Sequence, residues 1–484
     1  MRFGFVGGGY ESFSSNADAS RVVNMFVEQV ESGTGKNKAV LYGTPGLQVF
    51  STLGSGPVRG LWAGQGRLFA VGGSTLYEIG AGGSATAFGG TIANDGFPAY
   101  MFPNGHQLFI VAGNAGYIHE GGSVVAAPVP ADPVSPAGTP GAAVGLARAG
   151  CFIDSYYIAS KPYHTHFFIS RQYDGMDWRT PGDEVSDPWE SAEYGTKEGY
   201  PDAIEFMMAD HRDLWLFGSQ TIEVWRNTGN PDFPFERDPG ALIQQGTIAP
   251  FTCCSAAFGV CWLGGDYRGG PVMYRAQGFQ PERISNHAVE AKWRAYSTVY
   301  DANAFTFTQS GHTFLQVNFP TANKSWRWDA NTAMWHEVSS GGTDQRHRAM
   351  CHAYQFGRNL VGDYSSGNIY TMSPDVYTDN GAPIVRVRTA PHVAEEDKPE
   401  FFHAFELDLE VGSSLPEVTM DYSDDGGYTW VTPKTITPSL SGRNGRVIYR
   451  RLGRSRDRIF RITIDDPVKI ALIDAYLKMT GPVG

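Results

Sequence analysis

Cysteine is scarce in this sequence, and its distribution argues against a disulfide-bonded protein. The five cysteines of the 484-residue chain are Cys151, Cys253, Cys254, Cys261 and Cys351. An odd number of scattered cysteines does not make a disulfide framework, and no two of them have the C-x-x-C spacing of a zinc knuckle. We therefore expect the chain to fold in the reducing environment of a cytoplasm.

Long apolar runs and excess positive charge are also missing. The first residues, MRFGFVGGGYESFSSN, lack the apolar core of a signal peptide, and no uncharged run is long enough to span a bilayer. The net charge is -12, from 38 lysines and arginines against 50 aspartates and glutamates. General nucleic-acid binding is disfavoured, because it depends on a basic surface. The charge is compatible with a surface along which DNA slides without sticking.

Motifs that carry chemistry are absent as well. The glycines at 7–9 are followed by neither a phosphate-loop Lys-Ser/Thr nor a G-x-G-x-x-G pattern, and there is no nucleophile elbow. Adjacent carboxylates such as Asp424 and Asp425 would face opposite sides of a strand, which does not suit an acid/base couple. His164 and His166 have no identifiable third metal ligand. The sequence predicts no enzyme and no catalytic, cofactor-binding or metal-binding residue.

What the chain does contain is an internal repeat. Residues 213–225 (DLWLFGSQTIEVW) align without a gap with 67–79 (RLFAVGGSTLYEI) and 107–119 (QLFIVAGNAGYIH). Each copy has an apolar run, a turn and an alternating run, which is typical of two antiparallel strands. Further apolar segments precede the copies, at residues 58–63, 99–102 and 203–208. One such small sheet cannot bury both faces alone, so the repeats are expected to stack.

Degenerate copies extend the series. They occupy residues 152–170, 251–275, 304–338 and 349–372, and equivalent strands recur about every 40 to 60 residues, as in the blades of a β-propeller. We expect six or seven blades within residues 51–380. Residues 1–50 are expected to pack on a second domain or to close the propeller. A polar, acidic insertion at about 174–202 is expected to project from the rim and to contact partners.

The pattern changes after residue 380. Residues 381–484 are predicted to form a separate β domain, with strands at 384–388, 402–411, 417–423, 447–452 and 458–464. With 59 glycines for turns and 13% aromatic residues for pleated faces, the composition favours the same class. The predicted fold is all-β: a β-propeller of six or seven blades with an additional β-sandwich-like platform domain.

One hairpin motif stands in this second domain. The S-x-D-x-G-x-T-W pattern of an Asp-box is matched by Ser423, Asp425, Gly427, Thr429 and Trp430. In such a hairpin the aspartate caps the turn through backbone N–H groups, the glycine takes a positive φ and the tryptophan packs the hairpin down. Sialidases carry several copies together with an arginine cluster, whereas this chain has one copy. The motif therefore predicts a local structure and not an activity.

An arginine-rich stretch lies nearby. Residues 443–461 (RNGRVIYRRLGRSRDRIFR) contain eight arginines and one aspartate. Arginine forms bidentate contacts with phosphate and with carboxylate, so the stretch could contact DNA or an acidic neighbouring subunit. The alternative is a solvated strand pair with its arginines outward and Val447, Ile448, Ile459 and Phe460 inward. The candidate subunit-interface or DNA-contact residues are Arg443, Arg446, Arg450, Arg451, Arg454, Arg456 and Arg458.

Both ends of the chain resemble one family. The opening has ASRVVNMFVEQ at 19–29, YGTPGL at 42–47 and GLWAGQGRLFAVGG at 60–73. The ending has YSDDGGYTW at 422–430 and RRLGRSRDRIFRITIDDPVKIALIDAYL at 450–477. These segments resemble the tail nozzle proteins of short-tailed bacteriophages, also described as packaged-DNA stabilisation or tail hub proteins.

The resemblance implies a structural protein of the virion tail, assembled in the host cytoplasm. Six copies would form a tube below the portal and the tail adaptor, retain packaged double-stranded DNA and conduct it at ejection without sequence specificity. A tail fibre, a tailspike or a tail needle would attach to it, and no catalytic residue is implied. We expect the arginines to face a neighbouring subunit, because a row of arginines in the lumen would slow ejection.

Two alternatives remain at this stage. The Asp-box raises the possibility of a sialidase-like propeller glycosidase, which would require three clustered arginines beside a tyrosine and carboxylates. The propeller pattern alone is equally typical of an interaction scaffold in a cell.

Overall fold

The computed structural model describes residues 3–32, 35, 37–129, 146–178, 194–230, 233–266, 268–394, 398–432, 434–441 and 444–481. Within these ranges there is one helix, α1 (His287–Arg294), and it is far too short to cross a membrane. All five cysteines are free thiols. The remaining regular structure consists of β-strands, so the prediction of an all-β protein is confirmed.

Five strands precede the propeller blades, and seven small sheets follow. The first five are β1 (Tyr10–Glu11), β2 (Ala19–Val23), β3 (Met25–Gln29), β4 (Ala39–Gly43) and β5 (Gly46–Thr52). Blade 1 has β6 (Val58–Gly64), β7 (Arg67–Gly72), β8 (Thr75–Ile79) and β9 (Ala85–Ala87). Blade 2 has β10 (Tyr100–Pro103), β11 (Leu108–Ala112), β12 (Ala115–His119) and β13 (Val125–Ala126). Blade 3 has β14 (Gly150–Ile153), β15 (Tyr156–Ser160), β16 (His166–Arg171), β17 (Asp174–Trp178) and β18 (Tyr194–Thr196).

The other four blades follow the same plan. Blade 4 has β19 (Ile204–Asp210), β20 (Asp213–Gly218), β21 (Ile222–Asn227) and β22 (Phe235–Arg237). Blade 5 has β23 (Thr247–Ala256), β24 (Gly259–Gly265), β25 (Pro271–Gln277) and β26 (Gln280–Arg283). Blade 6 has β27 (Asn303–Gln309), β28 (His312–Phe319), β29 (Lys324–Asp329) and β30 (Met334–Glu337). Blade 7 has β31 (Ala349–Gln355), β32 (Arg358–Asp363) and β33 (Asn368–Ser373).

The seven blades form a closed ring. The first strand of each blade packs beside the first strand of the next, and β31 of the last blade packs beside β6 of the first. Between blades the sheets bury apolar side chains: Phe69 and Val71 of blade 1 share one cluster with Leu108 and Ile110 of blade 2. The predicted propeller is therefore present, and the described residues give it seven blades.

The turns explain why the chain repeats this unit so regularly. In five blades the first two strands are joined by two residues that both have positive φ, as tight hairpins with the right-handed twist of strands require. These pairs are Gln65–Gly66, Asp154–Ser155, His211–Arg212, Ser310–Gly311 and Phe356–Gly357. Glycine is the second residue in three of them, because it adopts this conformation without a steric cost.

The ring is closed by a strand from the other end of the chain. β5 pairs antiparallel with β33 from Thr52 opposite Asn368 to Gly46 opposite Ser373, so it is the fourth strand of blade 7. Two short strands extend this sheet: β34 (Thr378–Asp379) and β35 (Ala382–Pro383). The last blade thus cannot form without residues that lie before the first.

The C-terminal residues form a sandwich of two sheets. Its strands are β36 (Arg386–Thr389), β37 (Val393–Ala394), β38 (Glu400–Val411), β39 (Val418–Ser423), β40 (Lys434–Ile436), β41 (Ser439–Ser441), β42 (Asn444–Ser455), β43 (Asp457–Ile464) and β44 (Ile470–Thr480). One sheet has the order β2-β36-β43-β39-β40 and the other β3-β4-β44-β38-β42-β41. Their inner faces share a single core that includes Phe405, Leu407, Tyr449, Phe460 and Leu472.

The N-terminal strands complete this sandwich and join it to the propeller. β2 lies in one sheet and β3 in the other. β2 also pairs with the outer strand of blade 6, where Val23 is opposite Glu337, so the hydrogen-bonded sheet runs from the propeller into the sandwich. Residues 1–50, expected either to pack on the platform or to close the propeller, contribute strands to both domains.

One expected segment differs from the structure, and one element of the structure was not expected. The insertion expected at about 174–202 is divided, because β17 and β18 both pair with β16 of blade 3; residues 179–193 lie outside the described part of the chain. The helix α1 was not expected. Asn286 caps it by accepting a hydrogen bond from Val289 N at 3.0 Å, and Trp293 packs edge-on against Trp335 at 5.3 Å.

A buried asparagine makes the corner between β2 and β3. Asn24 has φ of 54°, and its Nδ2 donates to Ser339 O at 3.1 Å and to Val385 O at 2.9 Å. Its Oδ1 accepts from Ser339 N at 2.8 Å, and its carbonyl accepts from Thr44 N at 3.0 Å. Asparagine tolerates the left-handed region better than other non-glycine residues. One residue therefore turns the chain and binds three other segments.

We expect Asn24→Ala to lower the free energy of unfolding by about 3 kcal/mol, because it leaves buried backbone groups unsatisfied and puts alanine at a positive φ. Asn323→Ala is the matched control. Asn323 has φ of 53° but is exposed in a turn of blade 6, so a loss of about 1 kcal/mol is expected. Urea denaturation of both variants measures the difference. Equal losses would show that the buried hydrogen bonds of Asn24 contribute nothing.

Candidate functional site

The arginine-rich stretch lies at one side of the sandwich. It forms β42 and β43, and β42 pairs with β38 on one side and with the short β41 on the other. Along β42 the side chains of Val447 and Tyr449 are buried in the core, while those of Arg446 and Arg450 are exposed. The alternation of a half-buried strand therefore places the arginines on the outer face of this sheet.

A bulge in β42 exposes a second arginine beside Arg450. The register shifts between Phe402 and Ala404, where one residue of β38 stands opposite Arg451 and Leu452 of β42. Arg451 has φ of 60°, and its side chain points to solvent, while Leu452 is buried. A bulge inserts one extra residue on one strand and re-aims its side chains. Two consecutive arginines thereby reach the surface.

Neighbouring charges divide this surface, which we call the arginine face, into two parts. Arg446 forms an ion pair with Glu406 of the adjacent strand. Arg454 lies over the ring of Phe401 at 5.5 Å, and Phe401 is 44% exposed. The guanidinium groups of Arg450 and Arg451 have no ion-pair partner among the described residues. The unbalanced positive charge is therefore concentrated beside the bulge.

Arg458 corrects one expectation for this stretch. Its side chain is 1% exposed, so it cannot contact DNA or another subunit. Nε and Nη2 donate to the two carboxylate oxygens of Asp424 at 2.6 and 2.7 Å, and Nη1 donates to Leu452 O at 2.6 Å. The guanidinium also lies 4.0 Å from the ring centroid of Tyr422. Arg458 holds the end of β43 in place. Arg443 lies outside the described residues.

The Asp-box hairpin connects β39 to β40. Ser423 Oγ donates to Asp425 Oδ1 at 2.7 Å and accepts from Gly427 N at 2.8 Å. Asp425 also accepts from Thr429 N at 2.8 Å and from the Thr429 hydroxyl at 2.5 Å. Gly427 has φ of 93°, and the Trp430 ring centroid lies 3.9 Å from the Arg461 guanidinium. Hydrogen bonds from Thr429 and Ser423 lower the pKa of Asp425 to about 2.

A cleft of about 580 Å³ opens beside this hairpin. Arg21 forms a bidentate pair with Glu337 at 2.6 and 2.7 Å on one side, and Arg461 pairs with Asp421 on the other. Tyr428, at an unspecified position of the Asp-box pattern, is 77% exposed at the rim. Sequence reasoning missed Tyr428, Arg21 and Glu337, because no local pattern marks them. Both arginines that line the cleft are paired with carboxylates.

The other candidates from the sequence are the histidine pair and the Asp-box. The His164 and His166 rings lie 5.9 Å apart, and the described residues contain no group of three histidines, cysteines or carboxylates that could hold a metal ion. The Asp-box, which prompted the glycosidase alternative, belongs to the sandwich and not to a propeller blade.

Comparisons with known proteins give the same two-domain division. The family model described as Bacteriophage P22 Gp10, beta-propeller, matches residues 5–377, and that described as Bacteriophage P22 Gp10, beta-sandwich, matches residues 385–480. No curated protein matches the chain.

Similar solved structures include two propellers. The Pan2 WD40 domain of Neurospora crassa has 8% identity and a TM-score of 0.41, over 69% of this chain and 95% of that one. Virginiamycin B lyase of Staphylococcus aureus has 10% identity and a TM-score of 0.38, over 68% of this chain and 98% of that one. Neither similarity is close enough to transfer an activity.

We expect Arg458→Ala to lower the free energy of unfolding by about 3 kcal/mol, because it leaves Asp424 and the Leu452 carbonyl without their partner. Arg450→Ala, on the neighbouring strand, removes an exposed arginine and is expected to change stability by less than about 0.5 kcal/mol. Chemical denaturation distinguishes the two. Similar effects of both replacements would contradict the assignment of a structural role to Arg458 alone.

The low pKa of Asp425 predicts a pH dependence. Because its pKa in the folded protein is below the value of about 3.9 in an unfolded chain, its contribution to stability is present above pH 4 and is lost as the pH falls towards 2. The unfolding temperature of Asp425→Asn should lie below that of the native protein at pH 5, and the difference should shrink by pH 2. A difference that does not change with pH would contradict this role.

Proposed function

This chain belongs to the Bacteriophage P22 Gp10 family of phage stabilisation proteins, and on that basis we propose that it forms the tail nozzle of the virion. In this proposal it is a structural protein without catalytic activity. Copies of the chain surround a channel below the portal and adaptor, retain the packaged DNA and conduct it during ejection. The observation that carries the proposal is the match to the family over both domains, residues 5–377 and 385–480.

The way in which the two domains are connected supports a role in which the subunit resists force. A subunit that retains packaged DNA has to resist force without bending between its parts. Here the sheet of blade 6 continues through β2 into the sandwich, and β5 closes the propeller from the same N-terminal segment. Domains joined by a flexible linker move relative to each other by default. The shared sheet and the buried hydrogen bonds of Asn24 restrict that movement.

The charge of the chain supports passage of DNA without capture. Phosphate binding gains its affinity from lysines and arginines that displace counterions. A net charge of -12 gives the subunit as a whole the same sign as DNA, so in this proposal DNA in the channel is repelled from the wall. Conduction without sequence specificity follows from the same property.

The arginine face is the surface we assign to contact between subunits. Interfaces are enriched in arginine and aromatic residues, and here Arg454 lies over the exposed ring of Phe401 while Arg450 and Arg451 are exposed on the same strand. An acidic neighbour supplies the carboxylates that these arginines lack. Placed in the channel, the same cluster would bind phosphate and hold the DNA back. The ring is expected to be a homohexamer, in contact with an adaptor and with a tail fibre, tailspike or needle.

The two alternatives lose their support at this point. The hypothesis of a glycosidase was prompted by the Asp-box, which lies outside the propeller. The hypothesis of a cellular interaction scaffold rests on the propeller pattern alone. Membership of a phage family accounts for the propeller and the sandwich together.

We expect the double variant Arg450→Glu with Arg454→Glu to weaken ring assembly by at least about tenfold, because it places like charges against an acidic neighbour. The double variant Arg212→Glu with Arg358→Glu is the control, since it makes the same charge change at exposed turns of blades 4 and 7. Mass measurement and electron microscopy of the purified proteins report the assembly state. Rings of normal yield from the first variant would overturn the assignment of the interface. Finding the protein only as a monomer in assembled virions would overturn the proposal that it forms the nozzle.

A further inference from the structure

A small cavity lies where the propeller, the N-terminal strands and the sandwich meet. Its volume is about 170 Å³, and we call it the junction cavity. Phe26 and Tyr42 of the β3–β4 hairpin form one wall, and His312 and Phe314 of blade 6 form another. Arg386 of β36 forms part of the sandwich side. Ligand sites are found preferentially at such boundaries between domains.

Aromatic rings make the walls of the junction cavity apolar. The ring centroid of Phe26 lies 5.4 Å from that of Phe314, 5.2 Å from that of His312 and 6.0 Å from that of Tyr42. An apolar protein cavity of roughly 150 Å³ is large enough to hold benzene. The junction cavity is therefore of a size to accept one six-membered ring with a small substituent.

One buried cation lines this apolar space without forming an ion pair, and Asp379 acts on it only through a longer-range electrostatic attraction. Arg386 is 1% exposed, and it donates only from Nη1, to Asp466 O at 3.1 Å and to Ile384 O at 3.5 Å. Nε has no hydrogen-bond partner, and no carboxylate of the described residues forms an ion pair with this guanidinium. A buried charge without a partner is costly, so such a group is normally paired.

The Arg386 guanidinium packs closely against the backbone of β4 at a glycine. Gly43 of β4 lines the cavity, and a Cβ at this position would lie 2.7 Å from Arg386 Nε. Asp379 is the nearest candidate for a counterion within the chain, but its carboxylate accepts from Ser340 Oγ at 2.6 Å and makes no ion pair with Arg386. Two other charged residues line the cavity, Glu28 and Lys469, and both are solvent-accessible; Lys469 already lies 3.4 Å from Glu410.

Arg388 shows what a satisfied arginine looks like on the same strand. It is also 1% exposed, but Nε donates to Phe5 O at 2.7 Å and Nη1 donates to Gly8 O at 3.1 Å. It does not line the cavity. Of these two buried arginines, Arg386 lines the cavity and has an Nε without a hydrogen-bond partner, whereas Arg388 donates from Nε and does not line the cavity.

We propose that the junction cavity binds a carboxylate carried on an apolar, ring-sized body. The carboxylate pairs with Arg386, and the ring packs among Phe26, Phe314 and Tyr42. A guanidinium is suited to this role because it binds carboxylates in a bidentate manner and remains charged when buried. An inorganic anion alone would leave the aromatic walls unfilled. The same chemistry occurs in a free aromatic acid and in the carboxyl terminus of a polypeptide that ends in an apolar residue.

Benzoate is the probe for this proposal, and benzamide is its neutral control of the same shape. We expect benzoate to bind the full-length protein with a dissociation constant on the order of 1 mM and to raise its unfolding temperature, while benzamide does neither at the same concentration. Titration calorimetry and thermal unfolding measure the two effects. Equal binding of both compounds would show that Arg386 does not recognise the carboxylate, and binding of neither would show that the cavity is not a site for such a ring.

The two arginines provide matched variants with opposite expected outcomes. Arg386→Met should weaken benzoate binding by at least about tenfold and leave the unliganded protein as stable as before or more so, because an unpaired buried charge is removed. Arg388→Met should lower stability and leave benzoate binding unchanged. Gly43→Ala is a second variant of the site that keeps the arginine, since its methyl group should displace the Arg386 guanidinium and weaken benzoate binding. Unchanged benzoate affinity in Arg386→Met would overturn the proposal.

A second arm identifies the source of the carboxylate. A short peptide with a free C-terminal phenylalanine is compared with the same peptide ending in an amide. Tighter binding of the free-acid peptide than of benzoate indicates the end of a partner chain. Binding of benzoate alone indicates a small aromatic acid. If the acid binds no more tightly than the amide in both the peptide pair and the benzoate–benzamide pair, the assignment of Arg386 is contradicted.

Discussion

Asn24 stands where the N-terminal segment leaves one sheet of the sandwich for the other, and its side chain holds both sides of that step. The side chain binds the backbone after blade 6 at Ser339 and the backbone before β36 at Val385, while the backbone carbonyl of Asn24 accepts from Thr44 N, between β4 and β5. Its left-handed backbone makes the crossing in a single residue. Because β5 follows directly on this path, the same corner also sets the position of the strand that closes the propeller.

How much of this follows from the sequence depends on the range of each interaction. Period-two alternation and turn residues are local, so the strand pair at 213–225 could be predicted and corresponds to β20 and β21. The pairing of Thr52 with Asn368 joins opposite ends of the chain, and no local pattern distinguishes β5 from an ordinary strand. The number of blades stayed open for the same reason: blade 7 is complete only when β5 is counted.

The arginine-rich stretch shows the same limit at the level of side chains. Alternation alone predicts that Arg446 of β42 faces outward and that Val447 faces the core. It predicts neither the bulge that exposes Arg450 and Arg451 together nor the burial of Arg458 against Asp424. The composition identifies the cluster of arginines. Whether one of these arginines is neutralised inside the molecule depends on the residue that packs against it in the fold. Asp424 and Asp425, adjacent in the sequence, bind Arg458 and Thr429 respectively.

The path from β43 of the sandwich to the propeller varies in strength along its length. From β43 to β36 and from β36 to β2 the strands are joined by ladders of several residue pairs. From β2 to β30 the pairing is reduced to Val23 opposite Glu337. A load between the domains would therefore concentrate at this last step. The bidentate pair of Arg21 with Glu337 and the buried bonds of Asn24 lie at the same place, so side chains reinforce the joint where the ladder is shortest.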